Sequence, residues 1–389
     1  MPPLDAAKVS TTLEPAVQEP PVNAVPLVDL SGQHAQIAEE VENGFAEVLD
    51  AGDFIGGKAV SAFEQEYAEF VGARHCVGTG NGTDALEMAL RALRVGLGDE
   101  VIIPANTFIA TAEAVVRAGA RPVFVDVDGD ALLIDPGRVD AALTERTRAV
   151  IPVDLYGQVA PFEQLPSSLG ERGIVVVEDA AQSQGAVRHG RFAGRFGDVA
   201  ATSFYPGKNL GGYGDAGAVV TDDDGLAESV RLLGSHGSPV KYEHVSFGFN
   251  SRLDTLQAVV LRAKLRRLAQ WNVERRAAAQ VYAELLAGVP DLRLPVALPG
   301  NDHVWHLYVV RVPNRDEVLR RLRAEGVGAA IHYPVPVHLT PAMAEFGQRA
   351  GQCPVTERAA AEILSLPIFP GITRQQQEQV AGVLLSALG

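Results

Sequence analysis

The chain has 389 residues, of which 47% are hydrophobic and 21% charged, and its formal net charge is −15. This composition excludes disorder as the main state, and at about 100–200 residues per domain the length suggests two or three domains. The acidic charge repels nucleic-acid phosphates, and no stretch approaches the ~18 consecutive apolar residues of a membrane span, so we expect neither nucleic acid nor membrane as a partner.

Residues 1–24 contain Pro, Thr, Ala and Glu but lack the apolar core of a signal peptide, and we interpret them as a flexible N-terminal extension. The chain has two cysteines, Cys76 and Cys353, which form neither a disulfide framework nor a zinc site. These features predict a cytoplasmic protein, and we expect no bound metal.

Between about residues 70 and 225, short apolar runs alternate with segments of helical period. The predicted strands are 75–79, 101–104, 123–127, 149–153, 174–178, 200–204 and 218–221. Near-continuous apolar runs indicate strands buried on both faces, and therefore a mostly parallel sheet. Leu86, Ala89, Leu90 and Leu93 mark one helix, and a second is predicted over 110–118. This order predicts an α/β domain with helices on both faces of its sheet.

The composition changes after about residue 260. A long helix rich in Arg and Ala is predicted over 262–287, followed by a strand at 305–312 and helices at 316–325 and 375–387. We therefore divide the chain into a large α/β domain, residues 25–262, and a smaller C-terminal α+β domain, residues 263–389.

The strongest local signal is Lys208, which stands between a Pro-Gly pair and a run of glycines. Seen alone, a loop lysine is more often a solvated surface residue. The alternative is an amine held beside a planar cofactor, where glycines let backbone and ligand approach closely. A lysine that forms a Schiff base needs a fixed position and a lowered pKa, which a tight loop at a sheet edge can supply.

Asp179 directly follows a buried strand, at the edge of the sheet where ligands of doubly wound proteins bind. An aspartate at this place is about as often a helix N-cap. A pyridoxal phosphate enzyme, however, needs a carboxylate for the pyridinium proton and a lysine for attachment of the cofactor. Asp179 and Lys208 together therefore indicate such a site.

A glycine-rich turn links the first strand to its helix, and the amides of Gly82 and Thr83 form an anion site there, to which Ser203 can add a hydroxyl. The turn matches neither a P-loop nor a dinucleotide fingerprint, since Asp84 stands where a third glycine is required. Such turns are also common without a ligand. Phe108 can stack on a flat ring or belong to the core, and Gln182 can reach a ring hydroxyl or be solvated.

The chain resembles the DegT/DnrJ family of pyridoxal-phosphate sugar aminotransferases from Val25 to its C-terminus. The matching segments are 80–86, 104–108, 178–182, 203–211, 248–254 and 332–338. The resemblance implies the PLP-dependent transferase fold type I, the aspartate aminotransferase architecture. It also implies that Lys208 binds the cofactor covalently, that Asp179 pairs with the ring nitrogen, that Phe108 stacks and that Gln182 lies near the ring oxygen.

The same resemblance assigns phosphate binding to Gly82, Thr83 and Ser203. It places Asn250 at the phosphate of the neighbouring subunit, so that the expected enzyme is a homodimer with shared active sites. Two residues depart from the family pattern near the presumed site. Asp154 stands where histidine is common, and Tyr213 where a smaller or aliphatic residue is usual.

The implied reaction moves an amino group from glutamate to pyridoxal 5'-phosphate, and the resulting pyridoxamine phosphate aminates a nucleotide-linked keto sugar. Lys208 then serves as general base and acid for the proton shift. Residues 205–211 resemble the branch that acts on 3-keto sugars, which favours a 3-keto-6-deoxyhexose linked to dTDP and used in antibiotic biosynthesis. Candidate substrate contacts are Tyr205, His332 and Tyr333, although His332 is about as often a packed core histidine.

Three alternatives stay open at this point. The enzyme can act on a 4-keto-6-deoxyhexose instead. A sugar dehydratase of the same fold carries histidine in place of the lysine, which the presence of Lys208 disfavours. A non-catalytic PLP-binding regulator usually carries a DNA-binding module, and the acidic N-terminal extension resembles none.

Overall fold

The structure, a computed structural model, describes residues 24–389, so the predicted N-terminal extension lies almost entirely outside the described residues. Its strands are β1 (His75–Thr79), β2 (Glu100–Pro104), β3 (Arg121–Val125), β4 (Thr147–Val150), β5 (Val175–Asp179), β6 (Val187–Arg188), β7 (Arg191–Phe192), β8 (Val199–Ser203), β9 (Gly217–Thr221), β10 (Asn301–Asp302), β11 (Tyr308–Arg311) and β12 (Ile363–Leu366).

The helices alternate with these strands between β1 and β5. They are α1 (Ser31–Ala35), α2 (Ala38–Ala51), α3 (Gly57–Val71), α4 (Gly82–Ala92), α5 (Ile109–Arg117), α6 (Pro136–Ala142), α7 (Ser168–Glu171), α8 (Asp224–Gly234), α9 (Thr255–Leu285), α10 (Arg315–Ala324), α11 (Pro354–Glu362) and α12 (Arg374–Leu388).

Seven strands form the central sheet, in the order β1–β9–β8–β5–β4–β2–β3. Strands β8, β5, β4, β2 and β3 run parallel, whereas β9 is antiparallel to both of its neighbours, β1 and β8. The predicted mostly parallel α/β sheet is therefore confirmed, and each of its seven predicted strands corresponds to one observed strand.

Helices cover both faces of this sheet. On one face, α4, α5 and α8 bury side chains such as Leu86 and Val115 against the strands. On the other face, α3 and α9 contribute Phe63 and Leu261 to a second core that includes Ala200 of β8. Successive strand residues point to opposite faces, so a strand buried on both sides is an uninterrupted apolar run.

The C-terminal part of the chain packs β11 and β12 with α10 and α12 around a core of its own. Val25 belongs to this core, because its amide donates to the carbonyl of Gly326 and its backbone pairs with Val327. The first described residues therefore lie against the C-terminal part. The division at residue 262 stays a prediction.

The bounds of several predicted elements differ from the observed ones, and α9 and β11 are two examples. Helix α9 begins at Thr255, seven residues before its predicted start, because the apolar residues that open it pack into the core beneath the sheet. Strand β11 is shorter than predicted, because Trp305 takes a left-handed backbone conformation with φ of 48°. Between residues 24 and 389, no helix has both the length and the hydropathy that crossing a membrane requires.

Candidate active site

A cavity of about 660 Å³ lies at the carboxyl ends of the parallel strands. Ten of the eleven site residues expected from the sequence line it, namely Gly82, Thr83, Phe108, Asp179, Gln182, Ser203, Tyr205, Lys208, His332 and Tyr333. Eight of these lie at the carboxyl ends of β1, β2, β5 and β8 or in the segments that follow those strands, and the segment after α10 adds the last two. A parallel sheet explains this convergence, because the loops after its strands meet at one edge.

Asp179, the last residue of β5, is buried at the floor of this cavity. The hydroxyl of Thr111 donates to one carboxylate oxygen over 2.8 Å, and the amide of Ala181 donates to the other over 3.2 Å. Burial raises the pKa of Asp179, while these donors and the charge of Lys208 oppose the rise. A carboxylate held in this way favours a cationic N–H group facing it from the cavity.

Lys208 lies in the loop after β8, and its amide donates to the carbonyl of Tyr205 over 2.8 Å. Burial lowers the pKa of its ammonium to about 8, against the opposing effect of the Asp179 carboxylate. A substantial fraction of the amine is therefore neutral and nucleophilic near pH 8. Gly211 closes the loop, since a Cβ atom at this position would lie 2.4 Å from the carbonyl oxygen of Pro206.

The start of α4 forms a cradle for an anion. Asn81 caps the helix, with its side-chain oxygen accepting the amide of Asp84 over 2.8 Å. The first amides of a helix have no acceptor within the helix, and Gly82 and Thr83, the first two residues of α4, line the cavity. A Cβ atom at Gly82 would lie 2.6 Å from Cβ of Ser203, so glycine is what allows the Ser203 side chain to approach the cradle.

The substitution Gly82→Ala tests this close approach. We expect it to cost about 1–3 kcal/mol of unfolding free energy, because strand β8 and helix α4 must separate to admit the methyl group. We also expect weaker binding of a phosphate-bearing ligand. The matched control is Gly382→Ala in α12, where nothing lies within 4 Å of the added Cβ, and a gain of about 0.5–1 kcal/mol follows from helix propensity. Denaturant unfolding measures both changes in unfolding free energy. If the two substitutions changed it equally, the close approach of Gly82 to Ser203 would be contradicted.

Aromatic side chains form part of the cavity wall. The ring of Phe108 is 49% exposed and lies 5.3 Å, between centroids, from the ring of Tyr333. The Gln182 side chain is buried, accepts the amide of Tyr156 over 2.8 Å and donates to the Tyr333 hydroxyl over 3.2 Å. Phe108 is thus available to a planar ligand, and Gln182 is anchored rather than solvated.

His332 reaches the cavity from the C-terminal part of the chain. Its Nδ1 atom lies 2.8 Å from the hydroxyl of Ser365, and its carbonyl accepts the Tyr156 hydroxyl over 2.6 Å. Burial, together with the charge of Lys208, lowers the pKa of His332 to about 4. The imidazole is therefore neutral at physiological pH. Tyr205 also lines the cavity and is 58% exposed.

Thr111 and His306 are among the cavity residues that the sequence did not predict. Thr111 holds Asp179, and its position one helical turn after Phe108 was a usable signal. His306 also lines the cavity, and its Nδ1 atom lies 3.2 Å from the side-chain oxygen of Asn209. His306 lies in the segment predicted as a strand, 305–312, and the sequence pattern of a strand does not indicate a site. Burial holds the pKa of His306 well below its usual value, so this imidazole is neutral as well.

The two residues that depart from the family pattern do not line the cavity. Asp154 is fully buried, and it accepts the amide of Ala160 and the hydroxyl of Ser183, each over 2.9 Å. The Tyr213 hydroxyl lies 2.5 Å from Nδ1 of His34, and the ammonium of Lys264 lies 5.0 Å from its ring centroid. Both departures are therefore structural within this subunit.

Asn250 is exposed and lies outside the cavity of its own subunit, and its side-chain oxygen accepts Nε of Arg252 over 3.1 Å. The position allows contact with another molecule. The role predicted for Asn250 across a subunit interface stays a prediction.

The cavity has the donor set that pyridoxal phosphate requires. The α4 cradle supplies amides for a phosphate. The short distance between Gly82 and Ser203 shows how closely α4 and β8 approach each other there. Asp179 supplies a buried carboxylate for a ring nitrogen, and Lys208 supplies an amine of lowered pKa. Phe108 presents an exposed aromatic ring. These residues fit the cofactor.

The profile of the DegT/DnrJ/EryC1/StrS aminotransferase family matches residues 35–385. The crystal structure of S. venezuelae DesV superposes with a TM-score of 0.91 at 46% sequence identity, covering 93% of this chain and 98% of DesV. The dTDP-3-amino-3,4,6-trideoxy-alpha-D-glucose transaminase of Streptomyces venezuelae is 47% identical over 92% of this chain and 94% of its own length.

Similar relatives carry other names. A UDP-N-acetyl-3-dehydro-alpha-D-glucosamine 3-aminotransferase of Acidithiobacillus ferrooxidans is 46% identical over 94% of this chain and 98% of its own length. A protein of Geobacillus stearothermophilus named a pleiotropic regulatory protein is 46% identical over 92% of this chain and 96% of its own length. The overall fold type predicted from the sequence, with its large parallel-sheet domain, is confirmed by the superposition on DesV.

Proposed function

We infer the function of this chain from the family to which it belongs, the DegT/DnrJ/EryC1/StrS aminotransferases, and from the residues of its cavity. The chain is a PLP-dependent sugar aminotransferase. We propose that it moves an amino group from glutamate to a dTDP-linked 3-keto-6-deoxyhexose. The observation that carries the proposal is the placement of Lys208 and Asp179 in one cavity, close enough for the charge of each to change the pKa of the other.

Pyridoxal phosphate, when bound, supplies an electron sink through which an amino group and a proton can move between two carbon atoms. Asp179 would hold the proton on the ring nitrogen, and Thr111 would orient the Asp179 carboxylate. Lys208, with its pKa of about 8, would take a proton from one carbon and return it to another. Phe108 and Tyr333 would cover the ring and exclude water.

The choice of a 3-keto sugar is supported by the names of the relatives, since the Streptomyces and Acidithiobacillus enzymes both act at the 3-position. Those two relatives differ in nucleotide, one dTDP and the other UDP. We propose dTDP, because the segment around Lys208 resembles the deoxysugar branch. The exposed Tyr205 and the neutral His332 would contact the sugar. A 4-keto-6-deoxyhexose is the alternative substrate.

A second candidate function, a regulator that binds the cofactor without turnover, is favoured by the name of the Geobacillus relative. Glutamate separates the two functions. We expect glutamate to convert the lysine-bound cofactor to pyridoxamine phosphate, with about one 2-oxoglutarate released per site and a loss of the visible absorbance band. A regulator would retain the band, and its persistence at saturating glutamate would contradict the proposed function.

We propose further that the enzyme is a homodimer in which Asn250 contacts the cofactor phosphate of the partner subunit. The exposure of Asn250 outside its own cavity supports this arrangement. Subunit mixing tests it. We expect Lys208→Ala and Asn250→Asp to be nearly inactive alone, and co-expression of the two to restore about a quarter of wild-type activity, because half of the dimers are hybrids with one intact site. If Asn250 acted within its own subunit, co-expression would restore nothing.

A further inference from the structure

The anion cradle of α4 contains a negative charge of its own. Asp84 occupies the first turn of this helix, and one of its carboxylate oxygens accepts the side-chain amide of Asn81 over 3.0 Å. The Asp84 side chain is 14% exposed, so water screens its charge only in part. This carboxylate lies one residue beyond Thr83, whose amide belongs to the cradle. The α4 cradle is therefore not simply a positive helix end.

A phosphate group carries close to two negative charges near neutral pH. A helix N-terminus stabilises either that phosphate or a carboxylate in its first turn, and two anions in the same place repel each other. Asp84 therefore weakens the cradle for phosphate unless another group neutralises it.

Arg117, in the last turn of the neighbouring helix α5, meets this requirement. Its Nη2 atom donates to a carboxylate oxygen of Asp84 over 3.2 Å and lies 2.8 Å from a carboxylate oxygen of Glu87. Glu87 has a second cation, because Nε of Arg91 donates to it over 2.7 Å. Arg117 is thus a cation that neutralises Asp84, and it is one of the residues that line the cavity.

We infer that Arg117 is a positioning residue for the cofactor phosphate, acting by neutralising Asp84 so that the amides of Gly82 and Thr83 can bind the phosphate dianion. This inference rests on the proposed function, because it takes the phosphate of pyridoxal phosphate as the ligand of the α4 cradle. Arg117 does not itself bind the phosphate. The effect of its removal must therefore depend on the presence of Asp84.

The test measures binding of pyridoxamine phosphate and of pyridoxamine to the full chain after removal of its cofactor. Neither compound attaches covalently to Lys208, and they differ only in the phosphate. We expect Arg117→Met to raise the Kd of pyridoxamine phosphate about tenfold at low salt and to leave the Kd of pyridoxamine unchanged. The double variant Asp84→Asn with Arg117→Met should return to the wild-type Kd, and Arg117→Lys should lie between.

Each other outcome has a definite meaning. If Arg117→Met weakens the binding of both compounds equally, Arg117 has a general structural role and the inference is wrong. If Asp84→Asn fails to rescue Arg117→Met, Arg117 binds phosphate directly and the inference is again wrong. If the wild-type chain binds neither compound, the proposed function fails instead. Thermal unfolding of every variant identifies any that do not fold, and Arg117→Lys then supplies the comparison.

Discussion

Replacing Lys208 with alanine is expected to abolish both the visible absorbance band of the bound cofactor and the amino transfer, with a loss of at least about 10³-fold in kcat. The reason is the loss of the one lysine amine that lines the cavity among the described residues, 24–389. The fold should be retained, because Lys208 lies in a loop and its truncation opens no core cavity of the kind that costs about 2–5 kcal/mol. Absorbance spectra and single-turnover assays measure the effect.

Lys264 is the matched control for this substitution. Burial lowers the pKa of Lys264 to about 8 as well, but its side chain packs on Tyr213 and lies outside the cavity. We expect Lys264→Met to retain the absorbance band. A band that survives in Lys208→Ala and disappears in Lys264→Met would show that the cofactor lysine had been assigned to the wrong residue.

The second large effect is expected for Asp179→Asn. The amide side chain keeps the size of the carboxylate, its oxygen can accept the amide of Ala181 and its NH2 group can donate to the hydroxyl of Thr111, but it cannot stabilise a proton on the ring nitrogen. We expect kcat to fall about 10²- to 10⁴-fold. Stability should be retained or slightly increased, because burial already disfavours the charged form of Asp179 and raises its pKa.

Asp126 supplies the comparison, since it is also a buried aspartate at the carboxyl end of a sheet strand. Its carboxylate accepts the amides of Val355 and Thr356 over 2.8 and 2.9 Å and does not line the cavity. Asp126→Asn should therefore lower stability by about 1–3 kcal/mol and leave kcat unchanged. The assignment of Asp179 would be contradicted if both variants lost stability equally and neither lost kcat.

Most of the site could be predicted because it depends on local patterns. Asp179 and Lys208 each follow a strand, and parallel strands bring such residues to one edge whatever the loops between them do. Gly82 indicated the anion cradle because it lies in the glycine-rich turn between a strand and the helix that follows it. Its necessity is visible in the structure, where the Ser203 side chain leaves no room for a Cβ atom.

Other features depend on contacts between distant segments, which periodicity does not reveal. His306 reaches the cavity only because the chain after α9 returns to the sheet. Asp84 of α4 pairs with Arg117 of α5, and the two residues are 33 positions apart in the sequence. The side chain of Asp154 is directed away from the cavity by two buried hydrogen bonds, although its neighbours Val153 and Leu155 line it.

The most direct test of the proposed function follows the nitrogen atom. The purified enzyme with pyridoxal phosphate is incubated with ¹⁵N-glutamate and a dTDP-linked 3-keto-6-deoxyhexose, and the product is analysed by mass spectrometry and NMR. We predict a dTDP-linked 3-amino-6-deoxyhexose with ¹⁵N on C3, together with 2-oxoglutarate. Amination of the 4-keto isomer with no reaction of the 3-keto sugar, or no transfer of ¹⁵N to any keto sugar, would contradict it.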